Sequence, residues 1–164
     1  MSDGAAYHDG GDLAGFLPYQ LSVASNAVSA LIAERYRKRF ALKIPEWRIM
    51  AVLGDSGSMT QRALTAATVM DKVAVNRAAR VLEERGLIAR VPNPGDGRSH
   101  LLALTEEGRA IHAEVMPLAR ATEAELLAEF PREDEERLRA LLARLRQRAM
   151  GLSGGETAAG PEQD

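Results

Sequence analysis

Residues 71–104 read DKVAVNRAARVLEERGLIARVPNPGDGRSHLLAL, and this stretch decides the fold. Its first half predicts a helix that Asp71 caps and that runs to Glu84, because apolar residues recur there at helical spacing. Two short apolar runs follow, 87–91 and 99–104, and the Pro, Asn, Gly and Asp residues between them are typical of turns. The stretch therefore predicts a helix followed by a β-hairpin with a long tip.

The predicted helix has two different faces. On a helical wheel its inward residues are small or apolar: Val75, Ala78, Ala79 and Leu82. Asn76, Arg77 and Arg80 lie opposite, and Lys72 flanks them near the helix start. Arginine can bridge O6 and N7 of guanine, asparagine can bridge N6 and N7 of adenine, and lysine can contact a phosphate. This face suits the reading of a DNA major groove, and the alternative is a solvated helix face without a partner.

The tip of the predicted hairpin carries Arg98 between Gly97 and Ser99. An arginine on a thin loop can enter a narrow A·T-rich minor groove, where the negative potential is enhanced. Asp96 precedes it, and we expect this carboxylate to orient a neighbouring guanidinium through a charge-assisted hydrogen bond. The alternative is that Asp96-Gly97 is only a hairpin turn, and both roles are compatible.

Two short helices are predicted directly upstream. Thr60 can cap the second of them, and a tight turn joins this helix to the one that Asp71 caps. Two helices joined by a tight turn therefore precede the hairpin. Pro45 can open the helix before it, and we expect Gly54 and Gly57 to end that helix. Together with the hairpin, these elements predict a winged helix-turn-helix.

Longer helices are predicted at both ends of the chain. A first helix from near Pro18 to Arg39 follows from an apolar stripe: Leu17, Leu21, Ala24, Val28 and Leu31. Thr105 can cap a long helix that Pro117 can kink. Pro131 can open a last helix with a leucine stripe: Leu138, Leu141, Leu142 and Leu145. Such stripes need a partner, which is either a second copy or the central domain.

The predicted fold is mainly α with a small β-hairpin wing. Its segments are a mobile N-terminus (1–14), an N-terminal helix (15–44), the winged helix-turn-helix (45–104), C-terminal helices (105–150) and a mobile tail (151–164). Both ends are rich in glycine and poor in large apolar residues, so burial there cannot offset the entropy of ordering.

The net charge of -2 conceals a segregated distribution. From 35 to 48 the chain has six basic residues against one acidic residue, whereas from 123 to 136 it has seven acidic residues against one basic residue. The middle of the chain is therefore more basic than the average suggests, as binding of a polyanion requires.

Composition and motifs exclude several classes of protein. The chain has no cysteine, which rules out disulfides and thiol chemistry. We find no signal peptide and no apolar run that could span a membrane, and we expect a cytoplasmic protein. The spacing of His8, His100 and His112 fits no metal motif, and no catalytic motif is present, so we predict no metal, no cofactor and no enzyme.

Four short motifs in this order resemble the MarR-type (multiple antibiotic resistance regulator) transcriptional regulators. They are Pro45-Glu46-Trp47-Arg48, the run from Val81 to Ile88, Asp96-Gly97-Arg98-Ser99, and the run from Leu104 to Arg109. The resemblance covers about residues 17–145. It implies a homodimer, held together by the N- and C-terminal helices, that binds a pseudo-palindromic operator, usually as a repressor. The positions that match the DNA-binding residues of the family are Lys72, Asn76, Arg77, Arg80 and Arg98.

The sequence departs from the family at two places. The family wing often has two adjacent arginines after the aspartate, and Gly97 replaces one of them. The turn between the third and fourth helices, 65–71, lacks the glycine that is common there. The first departure weakens the wing, because it removes one possible contact to a phosphate or to the minor groove.

The resemblance also implies a small effector, often aromatic or anionic, in a crevice between the dimerisation helices and the DNA-binding lobe. Carboxylates and acyl-coenzyme A esters are the ligand classes we consider. The candidate ligand residues by position are Tyr19, Asn26, Tyr36, Trp47 and Met50, for each of which a plain core role is the alternative. For the whole chain, the alternative function is a winged-helix module that binds proteins and not DNA.

Overall fold

The computed structural model describes residues 13–155. The elements in chain order are a 3-10 turn (Leu13–Gly15), α1 (Leu17–Phe40), α2 (Ile44–Ser56), α3 (Gln61–Thr68), α4 (Lys72–Glu84), β1 (Ile88–Pro92), β2 (His100–Leu104), α5 (Glu106–Leu127) and α6 (Arg132–Gly155). This order confirms the predicted fold class, helical with a two-stranded wing. The described residues form two compact units that divide between Thr122 and Glu123.

The predicted N-caps are confirmed for three helices. The Thr60 hydroxyl accepts the backbone N–H of Ala63 at 3.2 Å, and the Asp71 carboxylate accepts that of Ala74 at 2.8 Å. The Thr105 hydroxyl accepts the N–H of Gly108 at 3.0 Å. Each cap satisfies a helix N–H that has no partner within the helix, so the sequence defines where α3, α4 and α5 begin.

Gly54 does not end α2, contrary to the sequence prediction. The helix passes through it to Ser56, and Gly57 terminates it with φ at 79°. The physical reason lies on α5, because a Cβ at Gly54 would come within 2.3 Å of the His112 imidazole. Gly54 is therefore a packing residue, and the helix accepts its modest conformational cost.

The core of the first unit joins helices α1 to α5 and the wing. Its largest fully buried side chains include Tyr36, Leu42, Ile49, Met50, Leu64, Leu82, Leu87, Ile88 and Leu102. Tyr36, Trp47 and His112 form a row of rings, with centroid separations of 5.7 Å and 5.6 Å. This row of rings links α1, α2 and α5.

The wing is tied to the helix-turn-helix by backbone hydrogen bonds. β1 and β2 pair antiparallel, with Ile88 opposite Leu104 and Pro92 opposite His100. Met59, just before α3, adds a bridge to Leu102, since each donates its N–H to the other's carbonyl at 2.8 and 3.1 Å. The base of the wing is therefore fixed relative to α3.

The second unit contains the end of α5 and all of α6. Arg139 donates hydrogen bonds to Glu123 and Glu135, both at 2.8 Å, and Arg132 pairs with Glu136 at 2.9 Å. α6 continues past Met150, where we predicted a mobile tail, to Gly155. The rest of that tail and most of the predicted mobile N-terminus lie outside the described residues.

Candidate nucleic-acid interface and ligand cleft

The recognition candidate α4 has one buried and one exposed face, as the wheel predicts. Its inward residues Val75, Ala78, Ala79 and Leu82 are buried. The structure places the predicted DNA-binding residues Lys72, Asn76, Arg77 and Arg80 on the exposed part of the helix. Small alanines bring α4 close to the core, so its outer face is held on a rigid support.

The basic side chains of α4 differ in their partners. Arg80 donates to Glu84 at 2.9 Å, and such an exposed pair contributes only about 0–1 kcal/mol, so the guanidinium can exchange this carboxylate for another anion. Within residues 13–155, the side chains of Lys72 and Arg77 have no ion-pair partner. The helix therefore carries cations that are available to a polyanion.

Sequence reasoning missed two neighbours of Asn76. Gln61, the first residue of α3, donates a side-chain hydrogen bond to the Asn76 carbonyl oxygen. Val73 is 66% exposed on α4, one helical turn before Asn76. The available signal for Val73 was an apolar residue on an otherwise polar face. Gln61 gave no signal, because its contact depends on how α3 crosses α4.

The wing tip is shaped by local side-chain to backbone bonds. The Asn93 side chain accepts the N–H of Gly95 at 3.0 Å and donates to the Ser99 hydroxyl at 2.7 Å. Asp96 accepts the backbone N–H of Arg98 at 3.0 Å, and not a guanidinium as we expected. This correction has a simple cause, since an aspartate readily bonds the backbone two residues on. Asp96 therefore fixes the loop that carries Arg98.

The guanidinium of Arg98 is exposed and has no ion-pair partner among the described residues. Arg90, at the base of the wing, differs because it binds both carboxylate oxygens of Glu83 on α4, at 2.7 and 3.2 Å. Arg90 thus connects the wing to α4, whereas Arg98 projects as a single charge.

The turn between α3 and α4 depends on Val69. Its φ of 53° and ψ of 39° are left-handed, the conformation that glycine usually supplies. This is the turn whose missing glycine the sequence analysis noted. A β-branched residue in this conformation is strained, and Val69 is also 86% exposed, so no burial compensates the strain.

A cleft of about 730 Å³ lies between α1, α2 and the end of α3. Its lining includes Ser22, Ser25, Asn26, Trp47, Arg48 and Val69. Of the predicted ligand residues, Asn26 and Trp47 line it, Tyr36 and Met50 are core residues, and Tyr19 is exposed elsewhere on α1. Burial raises the pKa of Tyr36 to about 12, as expected for a core hydroxyl whose charged form is poorly solvated.

Arg48 was missed as a cleft residue, although it belongs to a motif that we quoted. Its guanidinium is partly buried and lies 3.4 Å from the Ser29 hydroxyl. It supplies a positive charge to the cleft that Trp47 also lines. The cleft therefore combines apolar walls with one cation and several hydroxyl or amide groups, which suits a small organic anion.

Comparisons with known proteins agree with this geometry. A family model described as MarR family matches residues 42–99, which extend from just before α2 to the wing tip. The MarR family transcriptional regulator SPO1453 from Silicibacter pomeroyi DSS-3 has 30% sequence identity and a TM-score of 0.71, and the match covers 82% of this chain and 96% of that one. The chain belongs to the MarR family. It is a transcriptional regulator with a DNA-binding winged helix.

Two further comparisons concern a repressor that is similar in sequence and a solved structure that shares the fold. The HTH-type transcriptional repressor Rv2887 of Mycobacterium tuberculosis is 27% identical over 132 residues, which cover 80% of this chain and 91% of the repressor. BpsR of Bordetella bronchiseptica, whose DNA binding is regulated by 6-hydroxynicotinic acid, shares the fold with 22% identity and a TM-score of 0.70, over 79% of this chain and 97% of BpsR.

Two structural absences concern other classes of function. Within residues 13–155, no helix is both long enough and apolar enough to cross a membrane. Over the same residues, His, Asp and Glu side chains form no group of three that could hold a metal ion.

Proposed function

We propose that this regulator is a cytoplasmic homodimeric repressor that binds a pseudo-palindromic operator and that a small aromatic carboxylate, free or as an acyl-coenzyme A ester, releases it. The observation that carries the proposal is the outer face of α4, where Arg77 and Lys72 have no ion-pair partner among the described residues. A relative named as a repressor, Rv2887, supports the direction of regulation.

The DNA contact would use α4 and the wing for different purposes. α4 enters the major groove, where Arg77, Arg80 and Asn76 meet base edges. Arg98 on the wing meets the adjacent minor groove or its phosphates. Arg62, exposed on α3, adds a further cation near the backbone. Each phosphate that is neutralised releases counterions, so binding must weaken as salt increases.

The homodimer is supported by apolar stripes on the terminal helices. On α6, Leu138, Leu141, Leu142 and Leu145 share one face and are 40–48% exposed. On α1, Leu17 and Val28 of the predicted stripe are 51% and 40% exposed. A second copy that covers these stripes would set two recognition helices about 34 Å apart, one turn of DNA. Two-fold symmetry then requires an inverted-repeat operator.

The effector would bind in the cleft beside Trp47. The Arg48 guanidinium offers a charge-assisted contact to a carboxylate, and the indole offers an aromatic surface. The cleft includes Val69 in the turn that leads into α4. A ligand there that favours one position of this turn would shift α4, and with it the spacing of the two half-sites.

DNA binding is tested by fluorescence anisotropy with the intergenic duplex beside the gene and with a random duplex, at two salt concentrations. We expect tighter binding to the intergenic duplex and a marked loss of affinity at higher salt. Equal binding to both duplexes contradicts the repressor proposal. Absence of binding to any duplex would favour the winged-helix protein-interaction module instead.

The oligomeric state is tested by sedimentation of Leu141→Glu. We expect a charge on the leucine stripe to convert a dimer to a monomer and to abolish tight operator binding. Ala143→Glu places the same charge on the opposite face of α6 and serves as the control. A wild-type monomer, or equal effects of the two substitutions, contradicts the homodimer.

The effector site is tested through Trp47, the one tryptophan of the chain. We expect 6-hydroxynicotinic acid, benzoate or benzoyl-coenzyme A to change its fluorescence and to release DNA over the same concentration range. Arg48→Ala should weaken both responses, whereas Arg37→Ala, which removes an exposed charge outside this cleft, should not. Release of DNA without any change in Trp47 fluorescence would exclude this cleft as the effector site.

A further inference from the structure

Val73 and Asn76 form a pair on the outer face of α4. They are three residues apart, so their side chains are neighbours on the helix surface. Both lie in the N-terminal half of the helix, the part that contacts base edges in helix-turn-helix proteins. Val73 is 66% exposed, so the protein core does not use this apolar side chain. Its methyl groups are available to an apolar group on a bound partner.

Gln61 determines which end of the Asn76 amide is free. The Gln61 amide group donates a hydrogen bond to the Asn76 carbonyl oxygen. Gln61 is only partly exposed and begins α3 directly after the Thr60 cap, so its position is well defined. The bond engages the Asn76 oxygen and leaves the NH₂ group free. Asn76 is thereby presented to a partner as a hydrogen-bond donor.

A donor next to an apolar side chain matches one base edge in the major groove. Thymine offers the O4 acceptor and the C5 methyl group side by side. Guanine offers acceptors but no methyl group, and cytosine would oppose its own amine to the Asn76 amine. Adenine needs an asparagine that both donates and accepts, whereas Gln61 already uses one of the two lone pairs of the Asn76 oxygen and leaves its NH₂ group as the free end. Adenine also offers no methyl group to Val73.

We infer that Val73 and Asn76 together read a thymine in each half-site, and that Gln61 is the positioning residue that makes Asn76 a donor. This inference rests on the proposed binding of α4 in the major groove. It adds a defined base and two residues, Val73 and Gln61, to the DNA interface.

The methyl contact is tested with deoxyuridine, which keeps O4 and lacks the methyl group. The probe is a duplex selected from a randomised pool by the wild-type protein, and each thymine is replaced in turn. We expect a loss of about fourfold per half-site at one symmetry-related position, the value for one buried methyl-sized group. Val73→Ala should bind less tightly and should no longer distinguish thymine from deoxyuridine there.

The role of Gln61 is tested at the same position with 5-methylcytosine, which keeps the methyl group and replaces O4 by an amine. The wild type should prefer thymine by about tenfold. Gln61→Leu frees the Asn76 amide to rotate, and this preference should fall towards one. The carboxylate of Gln61→Glu can only accept a hydrogen bond from the Asn76 NH₂ group. The Asn76 oxygen then faces outward, and we expect this variant to favour 5-methylcytosine. Arg62→Ala, a control at the neighbouring position, should weaken binding to both duplexes equally.

The outcomes separate this inference from the proposed function. If the wild type binds the selected duplex specifically but no thymine responds to deoxyuridine, the thymine reading is wrong and the repressor proposal stands. The same holds if Gln61→Leu, shown to be folded by its thermal melt, keeps the wild-type preference. If the wild type selects no sequence from the pool, both proposals fail.

Discussion

The recognition helix and the wing differ in what holds them in place. α4 is fixed by Val75, Ala78, Ala79 and Leu82, which are buried in the core. The wing tip is held by short-range bonds within the loop, such as that from the Arg98 N–H to Asp96. A rigid helix suits the reading of base edges, whose geometry is demanding, whereas a loop with one cation suits a phosphate or a narrow groove. Substitutions in these supports should therefore affect the helix and the wing differently.

The largest effect is expected beneath the recognition helix. Leu82 is fully buried, and Leu82→Ala should lower the free energy of unfolding by about 2–5 kcal/mol, because it leaves a cavity under α4. Urea denaturation measures this loss. Val81→Ala, at a half-buried neighbour, should cost clearly less. Equal losses for the two variants would show that the core does not hold α4 at Leu82.

The base of the wing should respond next most strongly. A Cβ on Gly108 would lie 2.0 Å from the Leu87 carbonyl oxygen, which accepts the Thr105 N–H at the start of α5. Gly108→Ala should therefore destabilise the protein by about 1–3 kcal/mol in thermal unfolding.

Gly151→Ala is the matched control for Gly108→Ala. Gly151 also lies in a helix, but a Cβ there meets nothing within 4 Å. It should leave stability unchanged or raise it by up to about 1 kcal/mol, since alanine favours helix over glycine. A loss of stability at Gly151, or none at Gly108, would contradict the packing argument.

Substitutions of Asp71 and Asp96 should have different effects on stability and on DNA binding. Asp71 caps α4, and Asp71→Ala should cost about 1 kcal/mol, whereas Asp71→Asn should retain the cap. Asp96→Ala should change stability by less than about 0.5 kcal/mol, because its bond lies in an exposed loop. It should nevertheless weaken DNA binding by loosening the loop around Arg98. Equal thermal shifts for the two alanine variants would contradict this division.

A small gain in stability is expected at the turn before α4. The left-handed conformation of Val69 costs about 1–2 kcal/mol of free energy. Glycine removes this cost, but the greater entropy of glycine in the unfolded chain offsets part of the benefit. Val69→Gly should therefore raise the free energy of unfolding by about 0.5–1 kcal/mol. Val69→Ala keeps the strain and should show no such gain. A destabilised Val69→Gly would mean that the turn is not strained.

The sequence predicted the features that depend on neighbouring residues. The caps Thr60, Asp71 and Thr105 act within one helical turn, and the hairpin follows from its own turn residues. Contacts between distant elements were not predictable. The space that Gly54 leaves for His112 belongs to this second class, and so does the bridge from Met59 to Leu102.

The features of the candidate site likewise include some that the sequence predicted and others that depend on contacts between distant elements. The helical period placed Arg77 and Arg80 on the exposed face, because that period is a property of α4 alone. It could not reveal that Gln61 engages Asn76, or that Arg48 and not Met50 lies at the cleft. These facts depend on how α1, α2 and α3 pack together.

The contrast between helix and wing is tested most directly by salt titrations of operator and random duplex binding with Arg77→Ala and Arg98→Ala. Arg98→Ala should lower the salt slope by about one unit on both duplexes and keep the preference for the operator. Arg77→Ala should reduce that preference by about 1–3 kcal/mol. Arg132→Ala, which removes an exposed charge from α6, should do neither. If Arg77→Ala instead weakens both duplexes equally, α4 does not read the sequence and the account is wrong.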